Sequence, residues 1–352
     1  MNTRTAPGTG SRGVRRLLSA VITACILLSG CSLIQKEQQY TATYLTLFDT
    51  VTSIVGRAGS EAEFQEKAQA VHDALLEYHR LFDIYHTYDG LNNLKTVNDR
   101  AGIEAVKVDP RIIRLLQDCK SYYAATGGKV NVALGSVLSL WHEARNAGLN
   151  DPGSAYLPEQ AALEEASRHT ALDAVILDEE ASTVYICDPL VQLDVGAIAK
   201  GWAVQQVAQS APTGLLISVG GNICATGAKD EAGTPWVVGI QDPDGGDSYL
   251  HTLYVSGGSV VTSGDYQRTY TVDGVRYHHI IDPDTLYPAT YWRSVTIVCP
   301  DSGLADALST ALFLLPREQG QELLDKYHAM AMWVAADGNI AYSPGFEEQL
   351  RS

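Results

Sequence analysis

The segment from Val261 to Ala289 constrains the fold more than any other stretch of the chain. Its Asp273-Gly274 pair is a turn signal that typically joins two antiparallel strands in a type I′ hairpin. Centred there, the hairpin aligns three pairs of side chains on one face: Val272 with Val275, Tyr270 with Tyr277, and Arg268 with His279. Because side chains alternate between the two faces of a strand, His279 is predicted to point into the protein and His278 out to solvent.

The inward position makes His279 a candidate for chemistry. It would lie beside the charge of Arg268, with Asp282-Pro283 just beyond it. That charge should lower the pKa of His279 and keep the ring neutral at pH 7, as a general base requires. A core histidine that simply contacts a backbone carbonyl explains the same pattern, and the segment alone leaves both interpretations open.

The chain as a whole is acidic. Its 352 residues carry a formal net charge of −16 and are 45% apolar, an ordinary globular composition with enough length for a sizeable core. No broad basic surface is available to follow a phosphate backbone, which argues against a nucleic-acid partner. An anionic ligand would have to be held by backbone N–H groups, a few local cations or a metal ion.

Residues 1–30 have the pattern of a lipoprotein signal peptide. A basic stretch precedes an apolar run from Leu17 to Leu28, which is followed by Ser29-Gly30-Cys31. Small residues before a cysteine resemble the bacterial lipobox, in which the cysteine is diacylated and becomes the mature N-terminus. An ordinary signal peptide or a membrane-anchoring helix is the alternative.

The lipobox interpretation divides the chain into three parts. We expect lipidation at Cys31, a lipid-anchored tether over residues 31–40 and one functional domain over residues 41–352. The mature protein would then be extracytoplasmic and anchored by lipid to the bacterial cell membrane. Four further cysteines, Cys119, Cys187, Cys224 and Cys299, are widely spaced. They form no C-x-x-C pair, which argues against zinc, and we expect buried free thiols rather than disulfides.

Hydrophobic periodicity predicts an α+β fold with mixed, largely antiparallel sheets, flanking helices and a single compact unit. Helices are predicted over Glu61–Tyr85, from Pro110 to Gly127, near 158–168, over Ala197–Ser210, and near 302–315 and 317–328. Strands are predicted at 41–57, 173–178, 183–187, 191–195, 215–219, 236–241, 294–299, 330–335 and 339–343, with further strands over 249–281. No Pro-, Gly- or Ser-rich linker interrupts residues 41–352.

The segment L-D-V-G-A-I-A-K-G, residues 193–201, has the pattern of a strand that runs through a glycine into a helix. The unpaired N–H groups of a helix N-terminus suit phosphate, and Lys200 lies one turn into the helix. Gly201 would let another backbone approach closely. Strand–turn–helix junctions with glycine are also common without a ligand.

The segment A-D-A-L-S-T-A, residues 305–311, places Asp306 and Thr310 on one face of a helix. A carboxylate and a hydroxyl one turn apart can share a hard cation such as Mg²⁺. A plainer explanation is that the acidic side chain interacts favourably with the positive end of the helix dipole. Glycine pairs in residues 126–135 and 215–227 allow either close approach to a ligand or an ordinary turn.

Taken together and in order, these segments resemble the ApbE family, the FAD:protein FMN transferases. The resemblance adds S-V-G-G-N-I, T-S-G-D-Y-Q-R, H-I-I-D-P-D-T and Y-P-A to the two motifs above, and it extends over about residues 44–343. Phe48-Asp49-Thr50, the stretch from Tyr88 to Asn98 and the run that ends at Trp141 also match.

The resemblance implies a transferase that uses FAD as substrate and Mg²⁺ as cofactor. It would attach FMN to a Thr or Ser hydroxyl of an extracytoplasmic acceptor flavoprotein and release AMP. The implied metal ligands are Asp306, Thr310 and the carbonyl of Ala197, with His279 as the catalytic base. The implied FAD contacts are Phe48, Tyr88, Lys129, Val130, Asn131, Asp194, Lys200 and Ile281.

The chain departs from the family pattern at three places. An aromatic residue and an aspartate are usual where Val130-Asn131 stands, Met-Gly-Thr is usual for Phe48-Asp49-Thr50, and a glycine is usual at Leu286. Two other functions would use the same residues: a Mg²⁺-dependent FAD diphosphatase that yields FMN and AMP, and a non-catalytic flavin-binding lipoprotein.

Overall fold

The computed structural model describes residues 1–2, 37–246 and 248–351. Cys31, the signal segment and most of the tether lie outside the described residues, so their assignment stays a prediction. Within the described part of the chain, no helix is long and apolar enough to cross a bilayer. Residues Gln39–Ser352 form one compact unit, as predicted.

Eight α-helices lie in the described residues: α1 (Glu61–Phe82), α2 (Leu94–Asp99), α3 (Pro110–Ala125), α4 (Gly135–Asn150), α5 (Gln160–Ser167), α6 (Ala199–Ser210), α7 (Ser302–Phe313) and α8 (Arg317–Tyr327). Three short 3-10 turns span Pro152–Ser154, Leu172–Ala174 and Phe346–Gln349.

The strands of the same residues are β1 (Gln38–Leu47), β2 (Thr50–Ala58), β3 (Val106–Lys107), β4 (Val175–Asp178), β5 (Thr183–Ile186), β6 (Leu215–Val219), β7 (Asn222–Ala225), β8 (Trp236–Gln241), β9 (Tyr249–Val255), β10 (Gly258–Gly264), β11 (Tyr270–Val272), β12 (Val275–Tyr277), β13 (Trp292–Cys299), β14 (Met330–Ala335) and β15 (Ile340–Tyr342).

An eight-stranded sheet in the order β1-β2-β6-β7-β10-β13-β14-β15 forms the centre of the fold. From β2 to β15, each neighbouring pair is antiparallel. Smaller sheets contain β3-β5-β4, β8-β9 and β11-β12. The α+β class with largely antiparallel sheets is therefore confirmed.

Local signals explain where the helices begin. The Ser60 side chain accepts from the N–H of Glu63 at the start of α1, and Asp109 accepts from the N–H of Arg111 at the start of α3. Pro110 occupies the first turn of α3, where its missing N–H costs nothing. These caps satisfy donors that a helix leaves unpaired at its N-terminus.

Helices α6 and α7 pack against each other, and α7 also packs on β10 and β13 of the central sheet. Because it lies between a helix and the sheet, α7 is buried along almost its whole length. Ala199 and Lys200 of α6 and Asp306 and Thr310 of α7 line a cavity next to this helix pair.

Several predicted elements differ from the observed ones. The predicted strand over 191–195 is wrong: Gln192 forms only an isolated parallel bridge with Leu134. The short helix α2 was not among the predicted helices, and its first turn is closed by a capping box at Asn93. All four described cysteines are free, but Cys187 is exposed and not buried, because it lies just beyond the end of β5.

Candidate functional site

A cavity of about 620 Å³ lies between α7, the start of α6, the β1–β2 turn and the segment after β12. That volume is in the range of a cofactor-sized ligand. The cavity collects almost all of the predicted site residues: Phe48, Lys129, Val130, Asn131, Asp194, Ala197, Lys200, His279, Ile281, Asp306 and Thr310. Distant parts of the chain therefore converge there.

Tyr88 is the exception, because it does not line the cavity. Its hydroxyl donates to Asp83 across 2.8 Å, and the guanidinium of Arg80 lies over its ring. Asp83 itself does line the cavity. The predicted direct contact between Tyr88 and the flavin is therefore not matched by the position of Tyr88. This tyrosine instead hydrogen-bonds Asp83, a residue that lines the cavity.

Asp306 is the only carboxylate among the described residues that α7 contributes to this cavity. The residue is 3% exposed, and its Oδ2 accepts the N–H of Gly201 at 2.8 Å. The ammonium of Lys200 lies 3.6 Å from the same oxygen. Burial raises the pKa of Asp306, although Lys200 and the Gly201 N–H oppose the rise.

Gly201 allows α6 and α7 to come this close. A Cβ atom at this position would lie 2.3 Å from the carbonyl oxygen of Ser302 and 2.5 Å from Cβ of Asp306. No real Cβ tolerates such distances, so the close approach predicted for this glycine is present in the structure. Its N–H is thereby held against the carboxylate.

The carbonyl of Ala197 lies just before α6, whose N-cap is Ile198, so it is outside the hydrogen-bond ladder of the helix. Gly201 is the third residue of α6, where a helix leaves the N–H without a helical partner, and this N–H donates to Asp306. Ala197, Asp306 and Thr310 line one cavity and can offer it a carbonyl, a carboxylate and a hydroxyl oxygen.

These three oxygen ligands suit Mg²⁺, which prefers oxygen ligands and commonly retains waters or a substrate phosphate in its coordination shell. Within the described residues, no cluster of three or more His, Cys, Asp or Glu side chains could hold a metal. A metal at this position would therefore rely on the mixed oxygen set. Asn222 adds a further polar group, since its side chain hydrogen-bonds the Asp306 carboxylate and opposes the rise of the Asp306 pKa.

His279 also lines the cavity and lies just beyond the β11–β12 hairpin. Its Nδ1 lies 3.1 Å from the carbonyl oxygen of Gln267. Because a carbonyl can only accept, Nδ1 carries the proton and Nε2 is left as a free base. Burial, followed by the charges of Arg268 and Lys200, lowers the pKa of His279 to about 3.

The hairpin register is confirmed where strands exist, and wrong beyond them. Tyr270 pairs with Tyr277 as predicted, but the ladder ends there. Arg268 has a φ of 46°, which turns the chain out of the strand, so it does not pair with His279. Both residues nevertheless line the cavity.

His278 does not point to solvent, and that prediction is wrong. Its Nε2 contacts the carbonyl oxygen of Ala289 at 2.9 Å, its Nδ1 accepts the N–H of Ile280, and its ring packs edge-on against Phe313. Because the strand has ended, alternation no longer decides the direction of its side chain. His278 is a structural histidine that fixes the segment carrying His279.

The Val130-Asn131 departure has a structural explanation. The Asn131 amide donates to the carbonyl of Thr170, and its oxygen accepts the N–H of Ala133. Both ends of the side chain are thus used within the fold, and Val130 is 1% exposed. These two residues offer the cavity shape and apolar surface rather than a free polar group.

Lys129 and the Asp282 loop form one wall. The ammonium lies 2.7 Å from Asp282 and 2.8 Å from Asp284. Burial opposes the charged form, but the two carboxylates prevail and raise the pKa of Lys129. Leu286 ends this loop with a φ of 64°, a conformation that explains why glycine suits this position.

Some residues of the cavity escaped sequence reasoning. Tyr85 and His142 line it, with the tyrosine hydroxyl 3.2 Å from Nδ1 of the histidine. His142 Nε2 in turn lies 4.0 Å from Asp194. Neither Tyr85 nor His142 belongs to a motif with its own spacing.

The sequence profile of the ApbE family matches residues 48–334, which include every candidate ligand of the cavity. The chain belongs to the ApbE family. The predicted resemblance is therefore confirmed across the described fold.

Curated members of the family give the same result. An FAD:protein FMN transferase of Treponema pallidum is 36% identical over 307 residues, covering 81% of this chain and 83% of the relative. A second FAD:protein FMN transferase, from Klebsiella pneumoniae, is 32% identical over 254 residues, covering 68% of this chain and 76% of the relative.

Solved structures of the family share the fold. The ApbE protein of Thermotoga maritima superposes with a TM-score of 0.77 and 30% identity, over 90% of this chain and all of that one. The flavin transferase ApbE of Vibrio cholerae superposes with a TM-score of 0.73 and 22% identity, over 89% of this chain and all of that one. The latter similarity concerns the fold alone.

Proposed function

We propose that the chain is an FAD:protein FMN transferase that uses Mg²⁺ and attaches FMN to a Thr or Ser hydroxyl of an acceptor protein. The single observation that carries the proposal is the shared cavity. It joins a buried carboxylate with adjacent oxygen donors, centred on Asp306, to a neutral histidine base, His279. Membership of a family whose curated relatives are FAD:protein FMN transferases supports the same activity.

The reaction breaks one phosphoanhydride bond and forms one phosphoester bond. The acceptor hydroxyl oxygen bonds to the flavin-side phosphorus of FAD, and AMP leaves with the bridging oxygen. The hydroxyl proton passes to Nε2 of His279, which the Gln267 carbonyl orients through Nδ1. Bound Mg²⁺ would stabilise the negative charge that develops on the phosphate oxygens.

The low pKa of His279 fits a base that works only beside its substrate. At a pKa of about 3 the imidazole is neutral, but it is a weak base. A phosphate next to the ring would favour the protonated form and raise this pKa towards the working range. The base would therefore gain strength when FAD occupies the cavity.

The side chains on the α6 side would hold the diphosphate. Lys200 supplies a positive charge next to Asp306. The N–H of Gly196 donates to Asp194 at 2.9 Å, which fixes the turn that leads into α6. Phe48, Ile281 and Val130 offer apolar surface to the flavin and adenine rings.

We further propose that the protein acts outside the cytoplasm and is anchored to the cell membrane through lipid on Cys31. The support is the signal-like sequence of residues 1–30 and the cysteine that follows it. Labelling with a radioactive fatty acid tests this: wild type should incorporate label and Cys31→Ala should not. Label retained in Cys31→Ala would contradict the anchor.

Incubation of the chain with FAD, Mg²⁺ and a candidate acceptor flavoprotein tests the activity. Transfer predicts flavin fluorescence that stays with the acceptor in a denaturing gel, together with one AMP per flavin attached. Release of free FMN and AMP without a labelled acceptor would instead identify an FAD diphosphatase. Unchanged FAD would identify a flavin-binding lipoprotein.

A further inference from the structure

Two arginine side chains meet beside the main cavity without a carboxylate between them. Arg145, from α4, and Arg268, from the segment before β11, line a small cavity of about 10 Å³ together with His142 and His279. Arg268 and both histidines also line the main cavity. The two cavities therefore share a wall made of basic side chains.

Neither guanidinium is neutralised within the described part of the chain. Arg145 forms no ion pair there, and its buried Nε has no hydrogen-bond partner. Arg268 donates one hydrogen bond, from Nη2 to the carbonyl of Phe48 at 3.2 Å. The exposed Asp49 acts on Arg145 only at longer range, without an ion pair.

Such an arrangement is unfavourable in the absence of a ligand. Burial and the neighbouring charge of Arg268 both lower the pKa of Arg145. Arg268 is exposed on the cavity side, so the free-energy cost falls on Arg145, whose buried Nε is an unpaired donor beside a like charge. In a chain with a net charge of −16, two adjacent unpaired arginines indicate a local requirement for an anion.

We propose that Arg145 and Arg268 form an oxyanion subsite that binds the phosphate group of the flavin nucleotide next to His279. The guanidinium fork matches phosphate oxygens geometrically and gives strong, charge-assisted hydrogen bonds. The diphosphate of FAD carries two negative charges, one on each phosphate, and so matches both arginines in charge. A single carboxylate, such as an acidic side chain of the acceptor, would leave one positive charge unmatched.

The inference rests on the proposed function but can be tested apart from it. Dissociation constants of FMN and riboflavin are measured by flavin fluorescence in EDTA, without acceptor. These ligands differ only in the phosphate, so their ratio reports the contribution of the phosphate. In wild type we expect FMN to bind at least about tenfold tighter than riboflavin, the effect of one good charge-assisted contact.

Arg145→Gln should reduce this ratio at least about fivefold and leave riboflavin affinity unchanged. Arg145→Lys, which keeps the charge but not the fork, should lie between the two. Arg168→Gln is the charge-matched control, because Arg168 is 71% exposed and does not line the cavity. Without ligand, Arg145→Gln should melt at the same or a higher temperature than wild type, which excludes a folding defect.

An unchanged FMN-to-riboflavin ratio in Arg145→Gln would overturn the inference. A raised acceptor KM with an unchanged ratio would also overturn it, since the anion would then be a carboxylate of the acceptor.

If the ratio falls as expected but wild type transfers no FMN, the transferase proposal fails and the subsite stands. If neither flavin binds, a rise in melting temperature with inorganic phosphate, absent in Arg145→Gln, would support the subsite, and no rise would overturn it.

Discussion

The backbone N–H of Gly201 donates to the buried carboxylate of Asp306 across 2.8 Å, and this contact joins the two helices that carry the candidate metal site. It holds the carboxylate in place against the first turn of α6, just after Ala197. The same contact depends on the absence of a side chain at position 201.

Gly201→Ala should therefore damage both stability and metal binding. Its Cβ would clash with the Ser302 carbonyl, and moving α6 away from α7 should lower the free energy of unfolding by about 1–3 kcal/mol. Urea denaturation and Mg²⁺ titration measure the two effects. Gly257→Ala is the control, because nothing lies within 4 Å of its Cβ position. Wild-type Mg²⁺ affinity in Gly201→Ala would contradict this account.

Asp306→Asn should abolish the response to Mg²⁺ without unfolding the protein. Burial of the charged carboxylate is unfavourable, as its raised pKa indicates, so the neutral amide should leave the free energy of unfolding within about 1 kcal/mol of wild type or increase it. Mg²⁺ should raise the melting temperature of wild type and not that of the variant. Asp73→Asn, exposed on α1, should keep the wild-type response; loss of the response there as well would contradict a site at Asp306.

His279 should remain neutral from pH 5 to 9 in the free protein. Its pKa is lowered to about 3, so the unfolded chain binds the extra proton first as the pH falls below about 6.5. The contribution of the neutral ring to stability is complete above that pH and is lost progressively down to about pH 3. Between pH 4 and 6, the free energy of unfolding should fall less steeply with decreasing pH in His279→Ala than in wild type.

The catalytic role of His279 has a separate readout. His279→Ala should lower the rate of FMN transfer by about 10²–10⁴-fold, the usual contribution of a general base. His169→Gln, away from the cavity, should transfer at the wild-type rate. A near wild-type rate of His279→Ala across pH 6–9 would end the assignment of this residue as base.

Leu286 offers a test of backbone strain against burial. The residue has a φ of 64°, but its side chain is 8% exposed and packs in a cluster with Trp141, which donates to the Leu286 carbonyl. Leu286→Ala loses the packing and keeps the strain, so we expect a loss of about 2–4 kcal/mol in unfolding free energy. Leu286→Gly loses the same packing but relieves strain, and should be more stable than Leu286→Ala by about 1 kcal/mol. Equal denaturation midpoints for the two variants would show that strain is negligible.

The sequence predicted the parts of the fold that depend on local signals. The starts of α1 at Glu61 and of α3 at Pro110, and the Tyr270–Tyr277 register, follow from periodicity, the position of the proline and strand alternation. The sheet order does not follow, because β2 pairs with β6 across more than 150 residues, a contact that only the assembled core decides. His278 was misplaced for a related reason: its partner is a carbonyl beyond the end of the strand.

The candidate site shows the same division. Asp306 and Thr310 were visible from their helical spacing, and the family resemblance supplied Ala197. Arg145 was not identified, because its significance lies in a missing partner rather than in a motif. An unpaired buried donor can be recognised only once the surrounding side chains are in place.

The most direct test of the central claim is the intact mass of a Thr-bearing acceptor protein after incubation with FAD and this chain. We expect a gain of one FMN with wild type and Mg²⁺, and no gain in EDTA or with Asp306→Asn. An acceptor that gains FMN equally in EDTA and with Asp306→Asn would contradict a transfer site built on Asp306.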